Sequence, residues 1–129
     1  MKKRSDLTWH KEPDLQKRLN QIIIDLKFNH IDPDFVHMYR TYGSTARAYA
    51  RIWAFPKIFQ QVLNVGPNYI IEVLSEKFDK LSEENKTKVL IHELLHIPKN
   101  FSGALAPHKN SARRIDREVE RLYKEYCSK

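Results

Sequence analysis

His92, Glu93 and His96 stand in the order His-Glu-Leu-Leu-His. On a helix, residues four apart lie one above the other on one face. Two imidazoles at that spacing can hold one metal ion, and the carboxylate beside the first can hold a proton close to a metal-activated water. The chemistry that follows is metal-assisted hydrolysis. The residues upstream support a helix. Ser82 is a capping type, and Glu83 and Glu84 fall in the first turn, where negative charge suits the helix dipole. The helix is expected to run through the pentad and stop near Pro98. From Val89 to Ile97 only His92, Glu93 and His96 are not apolar, so the segment reads as a buried helix whose three polar groups need partners. A metal supplies one. The plainer alternative is a pair of core histidines bonded to backbone or carboxylates, with Glu93 paired to a Lys or Arg.

A catalytic zinc takes three protein ligands and leaves one position for water. His108, twelve residues after His96, is the first candidate for the third. The stretch from Phe101 to Pro107 is long enough to turn back across the helix end, with Gly103 and Pro107 supplying bends. The rivals are carboxylates on a last helix: Asp116 and Glu120, four apart on one face, and Glu118 on another. Their other reading is ion pairing with Arg113, Arg114, Arg117 and Arg121. In a zinc hydrolase the metal acidifies a water and polarises the scissile carbonyl, and Glu93 carries the proton to the leaving amine. The developing oxyanion needs a further donor. Tyr42, Arg47, Tyr49 and Arg51 are the candidates. An extended peptide substrate could pair with an exposed edge of the sheet.

The elements that must position these residues follow from periodicity. Residues 1–12 read as a polar, flexible arm, although Trp9 could dock. Pro13 opens a helix to about Lys27, with Leu15, Leu19, Ile22, Ile23 and Leu26 on one face. Val36–Tyr42 and Ala48–Trp53 read as strands separated by Gly43-Ser44, and Lys57–Leu63 as a third strand or a short helix, with strand favoured. Tyr69–Leu74 is the strongest strand pattern. Residues 76–81 connect it to the pentad helix, an irregular loop spans Pro98–Pro107, and a last helix spans about Ser111–Tyr126. The order implies an α+β fold, a small mixed or antiparallel sheet packed against helices, in one domain over residues 1–129.

Composition fits a soluble globular chain, with 30% charged and 41% hydrophobic residues. No apolar run reaches the length of a membrane span, and the N-terminus lacks the apolar stretch of a signal peptide. A single cysteine, Cys127, makes no internal disulfide, so a cytoplasmic location is the default expectation. The net charge of +7 permits attraction to nucleic acid, anionic lipid or acidic proteins.

The pentad followed by His108 resembles the zincin metallopeptidases. Lys99 and Ser102 stand where the metzincin pattern needs glycine and histidine, which excludes that subtype. Asp116 stands where a thermolysin-like pattern wants glutamate. A third histidine about a dozen residues on matches the SprT-like pattern best. More narrowly, the chain is similar to the small metallopeptidases of phages and archaea. The matching stretches are Gly43–Trp53, Phe55–Gln60, Tyr69–Val73, and His92–Pro98 through Phe101–Gly103 to His108. The resemblance implies a peptidase with a zinc cofactor, Glu93 as catalytic acid/base, and a protein or peptide substrate. The basic charge adds DNA or DNA-bound proteins as possible partners, as in SprT-like repair, although the cysteine set of an appended zinc ribbon is missing. Two other classes stay open: a zinc-bound structural or regulatory module without turnover, and a basic nucleic-acid-binding protein whose pentad is accidental.

Overall fold

The computed structural model describes residues 6–107 and 112–129, with the side chains of 112–115 excepted. The elements are β1 (Thr8–Lys11), α1 (Pro13–Asp25), a 3₁₀ turn (Pro33–Phe35), β2 (Val36–Tyr42), β3 (Ala50–Ala54), α2 (Lys57–Leu63), β4 (Tyr69–Leu74), α3 (Ser75–Phe78), α4 (Glu83–Leu94) and α5 (Ala112–Cys127). The four strands form one mixed sheet in the order β1-β2-β4-β3. The central pair β2 and β4 is parallel, with Val36 opposite Tyr69. Both edge strands are antiparallel to their neighbours, with Trp9 opposite Thr41 on one side and Ile52 opposite Ile71 on the other. The expected α+β architecture with a small mixed sheet is what the chain adopts.

The main core lies against one face of the sheet. The core takes Val36, Met38, Ile71 and Val73 from the sheet, Leu15, Leu19, Ile22 and Ile23 from α1, Leu90, Ile91 and Leu94 from α4, and Val119 and Leu122 from α5. Ile70, Glu72 and Leu74, which alternate with the core residues of β4, lie outside that cluster, although Glu72, Leu74 and the neighbouring Thr41 are buried on the other face. Each fully buried Leu or Ile contributes roughly 1.5–3 kcal/mol, so this cluster fixes which face of β4 and α4 turns toward the helices. Among the described residues, no helix is long and apolar enough to cross a membrane.

Three sequence expectations change. Thr8–Lys11 is an edge strand rather than part of a flexible arm. It is held by backbone pairing and by the Trp9 indole, which reaches Glu72. Lys57–Leu63 is a helix rather than a strand. Pro56 sets its entry by accepting from the amides of Phe59 and Gln60, and Asn64 ends it in the left-handed region at φ 55°. The β-favouring residue types there gave a misleading strand signal, because no face of the segment is buried to enforce a period of two. Finally, α4 ends at Leu94, so His96 lies on the turn beyond it. Pro98 has no N–H to offer the Leu94 carbonyl, and its ring would strike that carbonyl if the helix continued.

Candidate active site

The N-terminus of α4 is fixed as its sequence implies: the Ser82 hydroxyl accepts from the Asn85 amide at 3.2 Å. Three turns later the helix delivers His92 and Glu93. His96 follows on a tight turn in which its amide donates to the Glu93 carbonyl at 3.1 Å. The turn still keeps the two imidazoles together, with ring centroids 5.3 Å apart.

The loop after Pro98 comes back to the pentad. The Ala106 amide donates to the His96 carbonyl at 2.6 Å, and His96 Nδ1 lies 2.9 Å from the Ala106 carbonyl oxygen. A carbonyl only accepts, so His96 Nδ1 is the donor in this bond. Tyr69, at the start of β4, ties down the middle of the loop. Its hydroxyl accepts from the Gly103 amide at 2.9 Å and donates to the Ala104 carbonyl at 2.7 Å. Gln60 of α2 donates from one amide nitrogen to the carbonyls of Phe55 at 2.7 Å and Ser102 at 3.0 Å. Gly103 has φ +92°, and a Cβ there would overlap the Phe55 carbonyl and the Gln60 amide, so the expected bend at this position requires glycine.

Glu93 is buried, with 9% of its surface exposed. Burial pushes its carboxyl above the usual range, and the nearby His96 only partly offsets this. A cleft of about 550 Å³ opens beside it. Its walls include His92, Glu93, Asn85 and Lys88 of α4, Tyr49 and Ala50 at the start of β3, and Asp116 and Glu120 of α5. Lys88 is held between Glu120 at 2.8 Å and Glu84 at 3.1 Å, and both partners raise its pKa.

The structure therefore brings some of the sequence candidates together and separates others. Asp116 and Glu120 face the same cleft as His92 and Glu93, whereas Glu118 pairs with Arg121 at 2.5 Å along α5. Of the four oxyanion candidates only Tyr49 lines the cleft. Arg51 lies on the far face of the sheet, in register with Glu72. Tyr42 stacks edge-on against His10 at 5.4 Å, and Arg47 is an exposed loop residue. His108 lies outside the described residues. Among the described residues, no group of three or more His, Cys, Asp or Glu comes together as a metal cage. Asn85 and Lys88 were missed as cleft residues, although their positions seven and four residues before His92 carried that signal.

The donor set nonetheless fits a metal. Two adjacent imidazoles are the ligand type that zinc takes, and a histidine whose Nδ1–H is bonded to a backbone carbonyl has the tautomer and orientation usual for a metal ligand.

A family model described as "Putative phage metallopeptidase" matches residues 7–126. No curated protein and no solved structure matches the chain. With nearly its whole length covered by that match, the chain belongs to the phage metallopeptidase family.

Proposed function

We propose that the chain is a zinc-dependent peptidase in which His92, His96 and His108 hold the metal and Glu93 is the general base and acid. The return of the loop carries this reading. Ala106 is bonded to His96 through both its amide and its carbonyl, and His108 follows two residues later, a chain reach of about 7 Å. A bound zinc would supply Lewis acidity, polarising the scissile carbonyl and acidifying a water. Glu93, on the cleft wall, would act as the general base toward the attacking water and as the general acid toward the leaving amine. A carboxyl raised by burial suits both halves of that transfer, because it accepts and releases protons nearer neutrality. Tyr49 is the candidate donor to the oxyanion, since it shares the cleft with Glu93. The free edge of β3 begins at Ala50, also in the cleft, so an extended peptide paired along that edge passes the site. Recognition through backbone hydrogen bonds gives loose sequence preference.

Elemental analysis of the purified chain and four variants tests the assignment. One zinc per chain is expected in the wild type, lost in His92→Ala/His96→Ala and reduced in His108→Ala. It is expected to remain in Asp116→Asn/Glu120→Gln. Peptide cleavage is expected in the wild type and not in Glu93→Gln. Zinc retained in His108→Ala but lost with the carboxylates would move the third ligand to α5. A folded chain that takes no zinc after reconstitution would overturn the proposal. Stoichiometric zinc with a fourth protein ligand and no cleavage would mark a structural module instead.

A further inference from the structure

The face of the sheet turned away from the helices carries its own cluster. Strand register sets Lys11, Tyr39, Glu72 and Arg51 opposite one another across β1, β2, β4 and β3. Trp9 and Trp53 stand at diagonal corners of the same face, opposite Thr41 and Ile70. Both indoles donate to one carboxylate: Trp9 Nε1 to Glu72 Oε2 at 3.2 Å and Trp53 Nε1 to Glu72 Oε1 at 2.9 Å. The Thr41 hydroxyl donates to the same Oε2. Glu72 is 4% exposed, whereas Trp9 is 58% and Trp53 is 51% exposed. A covered carboxylate thus holds the edges of two indoles while leaving much of each ring in solvent. Between them lies a cavity of about 710 Å³ that also reaches Tyr39, Phe55 and Ile70.

Most of the polar side chains around this cavity are already engaged, the Tyr39 hydroxyl excepted. His37 bonds to Asn68 at 2.8 Å, Gln16 to the Val36 carbonyl and the Met38 amide, and Glu12 to Arg40 at 2.7 Å. Little remains with which to read a ligand by hydrogen bonds. What remains is aromatic surface and two exposed cations. Lys11 is two residues from Trp9 and Arg51 two residues from Trp53, so each cation shares a face with its tryptophan. Three strand spacings separate the two cations by about 14 Å. Preset ring surfaces flanked by positive charge, with no hydrogen-bond code, suit single-stranded nucleic acid bound without sequence preference. The chain's net charge of +7 favours the same polyanion.

We propose that this open sheet face binds single-stranded nucleic acid, with bases stacked on Trp9 and Trp53 and phosphates against Lys11 and Arg51. The site is on the opposite side of the sheet from the helices that carry the pentad, and it does not depend on peptidase activity.

Trp9 and Trp53 are the only two tryptophans in the chain, so intrinsic emission reports on this face alone. The full chain is titrated with oligo(dT) and oligo(rU) of about twelve nucleotides, a length within the site sizes of single-strand binders. A duplex of equal length and a neutral aromatic peptide are the comparisons, over a range of salt. Quenching by either single strand, weaker quenching by the duplex, and affinity that falls with salt are expected. Trp53→Ala, checked for folding by circular dichroism, is expected to lose about tenfold in affinity. Lys11→Glu/Arg51→Glu alters only exposed side chains. It is expected to flatten the slope of log K against log salt by roughly 1.4, the loss for two single-strand phosphate contacts. Unquenched emission overturns the proposal. So does affinity and salt slope unchanged in the charge-reversed variant, or quenching by the peptide and not by the oligonucleotides.

Discussion

Tyr69→Phe removes one oxygen atom from a fully buried residue, and that oxygen makes two hydrogen bonds to the loop between the pentad and His108. Burial outweighs the Gly103 hydrogen bond and raises the phenol's pKa, so the hydroxyl stays protonated across the working pH range and the donated bond to Ala104 persists. In the variant the Gly103 amide, whose bond to Tyr69 is buried, is left without a partner. An orphaned buried donor costs about 1–3 kcal/mol, and the less enclosed Ala104 carbonyl loses less because water can reach it. A total near 2 kcal/mol is therefore expected. For a chain of 129 residues, an unfolding entropy of about 2.1 cal/mol/K per residue turns this into a fall in Tm of roughly 7 °C. The assay is thermal unfolding of the metal-free protein, followed by zinc affinity in competition with a chelator. If the loop presents a ligand, affinity falls with stability, because the variant must order the loop on binding. A Tm shift under about 2 °C together with unchanged zinc affinity would show that Gln60 and His96 hold the loop without Tyr69, and the reasoning would fail.

Glu93→Gln is expected to keep zinc and slow cleavage by about 10²–10⁴-fold, measured as single-turnover peptide hydrolysis. The same change is expected to raise the stability of the metal-free protein near neutral pH. Burial raises the folded pKa of Glu93 above its unfolded value, so the penalty is absent in acid and grows as pH rises from the unfolded toward the folded pKa. A gain that persists in acid would contradict this. For Asp79, burial opposes ionisation, but the Ser75 hydroxyl at 2.5 Å and the Arg40 guanidinium outweigh it and hold the carboxyl below its usual range. Its stabilisation is full above the unfolded pKa and is lost as pH falls through the lower folded value. Asp79→Asn should therefore flatten the acid limb of a stability–pH curve, and an unaltered limb would refute the assignment. Ser82→Ala removes the cap of α4 and should cost about 1 kcal/mol in urea unfolding. No loss would mean that the Ser82–Asn85 bond is not maintained in solution.

Elements with a buried stripe were legible in the sequence. The apolar residues of α1 recur at helical spacing because one side of that helix meets the core, and β4 reads as a strand because β-branched residues fill it. β1 was hidden because all four of its residues are exposed, and its anchoring partner Glu72 lies 63 residues away along the chain. Glu72 itself looked like an ordinary polar residue in a strand, and only the folded sheet puts both tryptophans beside it. In the candidate site, His92, Glu93 and His96 were evident from spacing. Whether Asp116 and Glu120 share their cleft depended on how α5 crosses α4, which short-range patterns do not encode.

Gln60 has a consequence that reaches beyond the packing of one loop. Its single amide nitrogen joins the carbonyl of Phe55, just after the edge strand β3, to that of Ser102, in the segment leading toward His108. The proposed peptide-binding edge and the proposed metal-binding loop are thus fastened to one side chain. An occupant that steadies either segment reduces the ordering left for the other, so the two binding events become thermodynamically linked. Linkage is reciprocal: zinc would tighten the grip on peptide by the same factor that peptide tightens the grip on zinc. A chain built this way would be least able to hold its substrate when it has no metal with which to cut it.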